Sequence, residues 1–284
     1  MGDAPARLTV RVAVAAPGDP VTVQVWPAAD SFGSRRPVLL ACHGWADSGQ
    51  VFGPLATALG RRWTVIALDA PGHGGTPWPH GPQYSVPVHV AGATAVLDAL
   101  PQVGRRRAPV VALGHAMGAL TVAGLAAARP EAVTHLVLED PLRTTPKRVP
   151  STPVMRAWLR RLRDTDQDGR LAYLRREHPD WPADEHGPWA RSKTEVDASH
   201  LQARVNWGEP LVVLLSQVTC PVTLVHGDRH RGALLSRTAA TRCAAVCAAG
   251  AEVIRLPAGH HPRREARAAF VATLSDVLDR YGDG

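Results

Sequence analysis

Lysine is nearly missing from this chain of 284 residues: Lys147 and Lys193 are the only two among 32 basic side chains. The formal charge of +7 is therefore carried by arginine. Runs such as Arg105-Arg106-Arg107 and Arg160-Arg161 stand alone. No nucleic-acid-binding pattern surrounds them, so a DNA or RNA partner is not expected. Cysteine is scarce too. Cys42, Cys220, Cys243 and Cys247 follow no disulfide framework. Cys243 and Cys247 are four apart, close enough to share a helix face, but further ligands are wanting and no metal site is expected. Buried thiols in a reducing cytoplasm fit better. Met1 to Leu8 lacks the apolar core of a secretory signal. The one long apolar run, Ala108 to Ala128, is broken by Gly114, His115 and Gly118, so a bilayer span is not expected either.

What remains is a globular composition, 45% apolar and 20% charged, on a chain long enough to bury a substantial core. Leu8 to Val12 and Val21 to Trp26 alternate as half-buried strands do, with Pro17-Gly18-Asp19-Pro20 as the turn between them. Apolar runs of another kind follow: Pro37 to Cys42, Trp63 to Leu68, Pro109 to Leu113, His135 to Leu138 and Pro221 to Val225. Short, continuous and rich in valine and leucine, they predict strands buried on both faces of a parallel sheet. Helical stretches separate them, at Val51 to Leu59, Val86 to Leu100, Ala116 to Ala128 and Leu234 to Ala249. This alternation predicts a doubly wound α/β sheet with right-handed crossovers. A last strand, Ala251 to Leu256, and a helix from about Arg263 to Tyr281 close the chain. Between Pro141 and about Ser216 the rhythm stops, and amphipathic pieces such as Val154 to Leu162 and Leu171 to Arg176 predict a mainly helical insertion.

Four segments carry chemistry. Gly114-His115-Ala116-Met117-Gly118 follows a buried strand and opens a helix, where flanking glycines permit a tight turn that exposes the central side chain. His43-Gly44-Trp45 follows the third strand. Asp69-Ala70-Pro71-Gly72-His73-Gly74 follows the next. Gly259-His260 comes late. In this order and spacing they resemble the α/β-hydrolase superfamily, over nearly the whole chain. The resemblance implies an α/β-hydrolase fold, a mostly parallel doubly wound sheet with a helical cap insertion. Residues 1–140 and 217–284 would form the core and 141–216 the cap. It further implies His260 as general base, with an imidazole suited to proton transfer near neutral pH. The backbone N–H groups of Trp45 and Met117 would form the oxyanion hole, the latter at a helix N-terminus. His43 and His73 are expected to be structural.

The acid is ambiguous. Its usual place in the superfamily, three residues past Gly227, is His230, which cannot serve as an anionic partner. Asp140 and Asp228 are the substitutes, with Glu139 behind them. Trp158, Trp181, Trp189 and Trp207 are expected to line a pocket between Ala116, His260, Trp45 and the cap. They suit a small to medium, largely apolar carbonyl substrate. No cofactor is expected.

Ala116 departs from the pattern. Its methyl group has no proton to give and no lone pair to attack with. Three readings stay open at this point. The chain is a hydrolase whose nucleophilic serine has been changed to alanine. Or it is a natural non-hydrolytic member (lyase, isomerase, cyclase or cofactor-free oxygenase) working with a His–Asp pair alone. Or it is a binding protein that kept the pocket and lost the chemistry. Two other motifs fail on inspection. Asp164-Thr165-Asp166-Gln167-Asp168-Gly169 starts like a calcium loop, but its twelfth position is Arg175 rather than a bidentate glutamate. Gly72, Gly74 and Gly75 do not make a dinucleotide fingerprint.

Overall fold

The computed structural model describes residues 7–13, 20–29, 37–78, 83–100, 102–103, 106–142, 152–198 and 204–281. Eight strands form one sheet: β1 (Leu8–Val12), β2 (Val21–Trp26), β3 (Val38–Cys42), β4 (Thr64–Leu68), β5 (Val110–His115), β6 (His135–Glu139), β7 (Val222–His226) and β8 (Ala251–Arg255). Their spatial order is β1-β2-β4-β3-β5-β6-β7-β8. β1 and β2 pair antiparallel, β2 meets β4 antiparallel, and every pairing from β4 across to β8 is parallel. The chain leaves β3 for β4 on one side and then returns to β5 on the other. That reversal opens a crevice outside the carboxyl ends of β3 and β5, which is where open parallel sheets bind ligands.

Period-two alternation divides the core between the two faces of the sheet. On β5, Val110 and Ala112 face one side with Leu97, Leu120 and Leu215, whereas Val111 and Leu113 face the other with Phe52, Leu55, Phe270 and Leu274. β5, β6 and β7 are buried along their whole length, as their unbroken apolar runs predict, while the edge strands β1 and β8 are largely exposed.

In chain order the helices are α1 (Gly53–Ala58), α2 (Val86–Ala99), α3 (Met117–Ala128), α4 (Thr152–Arg163), α5 (Gln167–Glu177), α6 (Ala183–Ser192), α7 (Leu211–Leu215), α8 (Arg237–Ala244), α9 (Pro262–Glu265) and α10 (Arg267–Asp279). The helix predicted over Leu234 to Ala249 shrinks to α8. The amides of Leu234 and Leu235 donate to Asp140, and the Ser236 hydroxyl takes the cap position by accepting from the Ala239 amide. The closing helix is two pieces, because Ala266 leaves helical geometry at φ −130° and ψ 47°.

α4, α5, α6 and α7 lie between β6 and β7 in the chain. Leu162, Leu174, Trp181, Trp189 and Ala190 form a small apolar core within this segment. The segment is attached to the rest of the chain by apolar contact, Trp207, Leu211 and Leu215 joining the main core and Leu159 and Val196 packing on Ala46, with a buried ionic network alongside. Arg263 donates to Glu139 at 2.8 Å, and Arg264 meets Asp47 and Glu185 at 3.1 Å each. Lys193 reaches Asp47 at 2.7 Å, and all six of these side chains are buried. Burial alone would push the Asp47 carboxyl up, but the cations Lys193, Arg264 and Arg263 outweigh it and hold Asp47 well below the usual carboxylate range.

Breaking a buried pair leaves its partner's charge uncompensated, which costs about 3–5 kcal/mol. Arg263→Met is expected to lower the urea-unfolding free energy by that order, with Glu139 stranded. A loss below about 1 kcal/mol would mean that the sheet edge does not need the pair.

Candidate active site

The turn after β5 is strained. Ala116 sits at φ 50° and ψ −106°, a conformation that side-chain-bearing residues rarely hold. Such strain costs of order 1–3 kcal/mol and persists only where neighbours over-determine it. Here the Ala116 N–H donates to the Glu139 carbonyl at 3.0 Å, and its own carbonyl accepts from Leu142 at 3.1 Å. The flanking glycines are required by contact. A Cβ on Gly114 would lie 2.3 Å from the Gly118 carbonyl oxygen, and one on Gly118 would lie 2.1 Å from that of Cys42. The first turn of α3 therefore rests on the end of β3, and residue 116 is driven out at the crevice.

Across that crevice His260 Nδ1–H donates to Asp140 Oδ2 at 2.6 Å. Asp140 is fully buried, and its two oxygens also accept the amides of Leu234 (2.7 Å) and Leu235 (2.9 Å). This holds the carboxylate rigidly, and the carboxylate in turn fixes the tautomer of His260, leaving its Nε2 as the basic nitrogen. Of the candidate acids, only Asp140 meets the histidine. Asp228 is a correction: it caps the turn at residues 229–231, accepting the His230 amide, and pairs with Arg255 at the sheet edge. Glu139 is likewise turned away, to Arg263.

His43 and His73 bolt the loop after β3 in place, as expected of structural residues. His43 Nδ1–H donates to the Gly44 carbonyl at 2.8 Å while its Nε2 accepts the Ala70 amide at 3.0 Å. His73 Nε2 accepts the Ala46 amide at 3.2 Å. His115, buried behind Ala116, donates from Nε2 to the His260 carbonyl at 2.9 Å.

A cavity of about 430 Å³ joins these parts, with Gly44, Trp45, Ala116, Met117 and His260 on its wall. Trp158, Trp189 and Trp207 line it, together with Tyr173, Met155 and Lys193, which carry no motif in the sequence. Trp181 does not line it. Its ring stacks on His178 (4.2 Å), and the Arg264 guanidinium covers it at 4.6 Å, so it serves the packing behind the wall. Among the described residues no cluster of His, Cys, Asp or Glu fits a metal ion, and no helix is long and apolar enough to cross a membrane.

Strand order, the strained elbow and a late histidine on a buried carboxylate define an α/β-hydrolase. The chain also matches the family model of serine aminopeptidase S33 over residues 33–232, and it belongs to that family. A serine hydrolase-like protein of Danio rerio is 38% identical over 106 residues, which is 37% of this chain and 31% of that protein. The sn-1-specific diacylglycerol lipase ABHD11 of Mus musculus is 38% identical over 116 residues, 39% of this chain and 35% of that one. The matches thus span about a third of the curated relatives' length. Among solved structures, a thioesterase domain from the curacin biosynthetic pathway superposes with a TM-score of 0.74 at 20% identity. It covers 95% of this chain and 99% of that one.

Burial holds His115 and His261 well below the usual histidine range, with the neighbouring His260 adding to the effect. Burial, reinforced by Arg280, pushes His135 down to about 4. In the unfolded chain these imidazoles take protons near pH 6.5. The folded state refuses them, so their neutral burial costs nothing above that pH and destabilises as pH falls below it. The melting temperature should therefore be level from pH 7 to 8 with respect to these groups and decline from about pH 6.5 downward. His135→Phe is expected to make that decline shallower; an unchanged slope would contradict the assignment.

Proposed function

We propose that this protein is built for attack on the carbonyl of a small to medium, largely apolar substrate. Esters and thioesters lead, with lactones and ketone-activated carbon–carbon bonds as close chemical kin. Residues 141–216 act as a cap over the crevice, and Ala116 stands where the nucleophile belongs. The observation that supports this is the His260–Asp140 pair, 2.6 Å apart, on the same apolar cavity as a strained elbow. The arrangement lacks one oxygen atom of a hydrolytic site.

The roles follow from chemistry. Asp140 orients the imidazole and stabilises the imidazolium formed on proton transfer. His260 is the general base. The backbone N–H groups of Trp45 and Met117 are the donors for the developing oxyanion. Trp158, Trp189 and Trp207 hold the acyl portion by apolar contact. With alanine at 116 no acyl-enzyme forms, so the chain as it stands binds such a substrate without hydrolysing it by that route.

Ala116→Ser is expected to create turnover of short-chain p-nitrophenyl esters and covalent labelling by a fluorophosphonate. Adding Asp140→Asn should cut kcat by about 10³–10⁴-fold. A folded serine variant that neither turns over nor labels would sink the reading.

One observation favours a second reading. Asp140 keeps three donors on its two oxygens, so the base stays oriented with no hydroxyl to serve. His260 would then abstract a proton from substrate or water directly, as in a lyase, isomerase, cyclase or cofactor-free oxygenase. Substrate conversion by the Ala116 chain, abolished by His260→Ala, would select this reading over the first.

A further inference from the structure

Residues 44–47 form a β-turn, closed by the Asp47 amide donating to the Gly44 carbonyl at 3.1 Å. Ala46, the third residue, has φ 63°, while Trp45 is not among the positive-φ residues. That combination is a type II turn, which ordinarily wants glycine or asparagine at the third position. An alanine there is strained and stays only if both of its peptide groups are held. They are. The Ala46 N–H donates to His73 Nε2 at 3.2 Å, and the Ala46 carbonyl accepts from Lys193 Nζ at 2.7 Å.

Lys193 closes α6, inside the segment between β6 and β7, so it reaches this turn from a part of the chain 147 residues away. Its second partner is Asp47 Oδ1 at 2.7 Å, the last residue of the same turn. Its ammonium also faces the rings of Trp189 (4.8 Å) and Trp158 (5.7 Å), which line the cavity. It is one of two lysines in a chain rich in arginine. A compact ammonium on a flexible stem can direct donors to a carbonyl and a carboxylate at once, where a planar guanidinium would impose its own fork geometry.

The turn matters because of what it aims. The Gly44 carbonyl is held by His43 Nδ1–H at 2.8 Å and by the Asp47 amide. In a planar trans peptide the N–H points opposite to the carbonyl, so these two bonds also set the direction of the Trp45 N–H. We propose that Lys193 is a positioning residue that locks the strained Ala46 turn and thereby aims the Trp45 amide at the oxyanion. The segment that supplies the substrate-lining tryptophans would in this way also set the carbonyl-activating loop. The oxyanion part rests on the hydrolytic reading above; the locking of the turn does not.

The test has two arms. In the Ala116 chain, Lys193→Met should speed amide hydrogen exchange at Ala46 and Asp47 by at least about tenfold, with the amides of β5 and β6 unchanged. In an Ala116→Ser background the same change should lower kcat by about 10–100-fold while KM moves less than about threefold, as expected for loss of transition-state stabilisation alone. Ala46→Gly, which adopts the left-handed conformation without strain, should restore much of the lost kcat. Arg267→Met loosens the same segment through Asp184 and Glu185 without touching the turn, and it should leave kcat near that of its parent. Should Lys193→Met not fold, Lys193→Gln carries the same comparisons.

Unchanged exchange at Ala46 and Asp47 would overturn the proposal. So would equal kcat losses from Lys193→Met and Arg267→Met, or no rescue by glycine. If the serine variant is inert, the hydrolytic reading fails, and the exchange arm still decides whether Lys193 locks the turn.

Discussion

The contact between the first turn of α3 and the end of β3 governs the carboxyl edge of this sheet. Gly118 lies so close to the Cys42 carbonyl that a single methyl group cannot be inserted. Because the helix starts flush against the neighbouring strand, the residue joining β5 to α3 has no room for ordinary backbone geometry. It turns outward at positive φ. The same constraint sets the distance between the loop after β3 and the elbow after β5, and so the width of the crevice between them. That alanine holds this conformation, with no reactive atom to present, shows that the strain is a property of the packing. It is not created by the side chain at the tip.

A second constraint is ionic. Three buried cations, Lys193, Arg263 and Arg264, are matched by three buried carboxylates, Asp47, Glu139 and Glu185. Desolvating six charges is expensive, and a hydrophobic contact of similar size would stabilise at least as well. What the charges add is direction. Each carboxylate accepts from defined donors, so the segment between β6 and β7 meets the sheet in one register, and Asp140 and Glu139, adjacent in sequence, are sent to different partners. Apolar packing among the tryptophans alone would tolerate sliding.

Much of this architecture was legible locally. Continuous Val/Leu runs read as strands buried on both faces, and β3 to β7 follow them closely. The glycines around Ala116 announced a turn too tight for any Cβ, and Gly118 shows why. Other expectations went astray where a distant group intervened. The helix expected from Leu234 begins at Arg237, since the amides of Leu234 and Leu235 are spent on Asp140. Asp228 stood near the usual place of the acid in sequence and is drawn to Arg255 instead. Trp181 looked like any other tryptophan of the insertion, yet a histidine and an arginine claim its two sides. Lys193 carried no motif at all; its rarity was visible in the composition, but its partner was not.

The sequence alone determined the fold class and the tight turn at Ala116, because each depends on short-range rules, side-chain periodicity and the steric freedom of glycine. His260, in contrast, is identified only through the resemblance of its Gly-His segment to the superfamily. Only the tertiary structure decided which carboxylate meets His260, which tryptophans see the cavity, and that a lysine braces Ala46. Those outcomes depend on the order in which strands lie side by side. That order brings together residues more than a hundred positions apart, where no local pattern records the meeting.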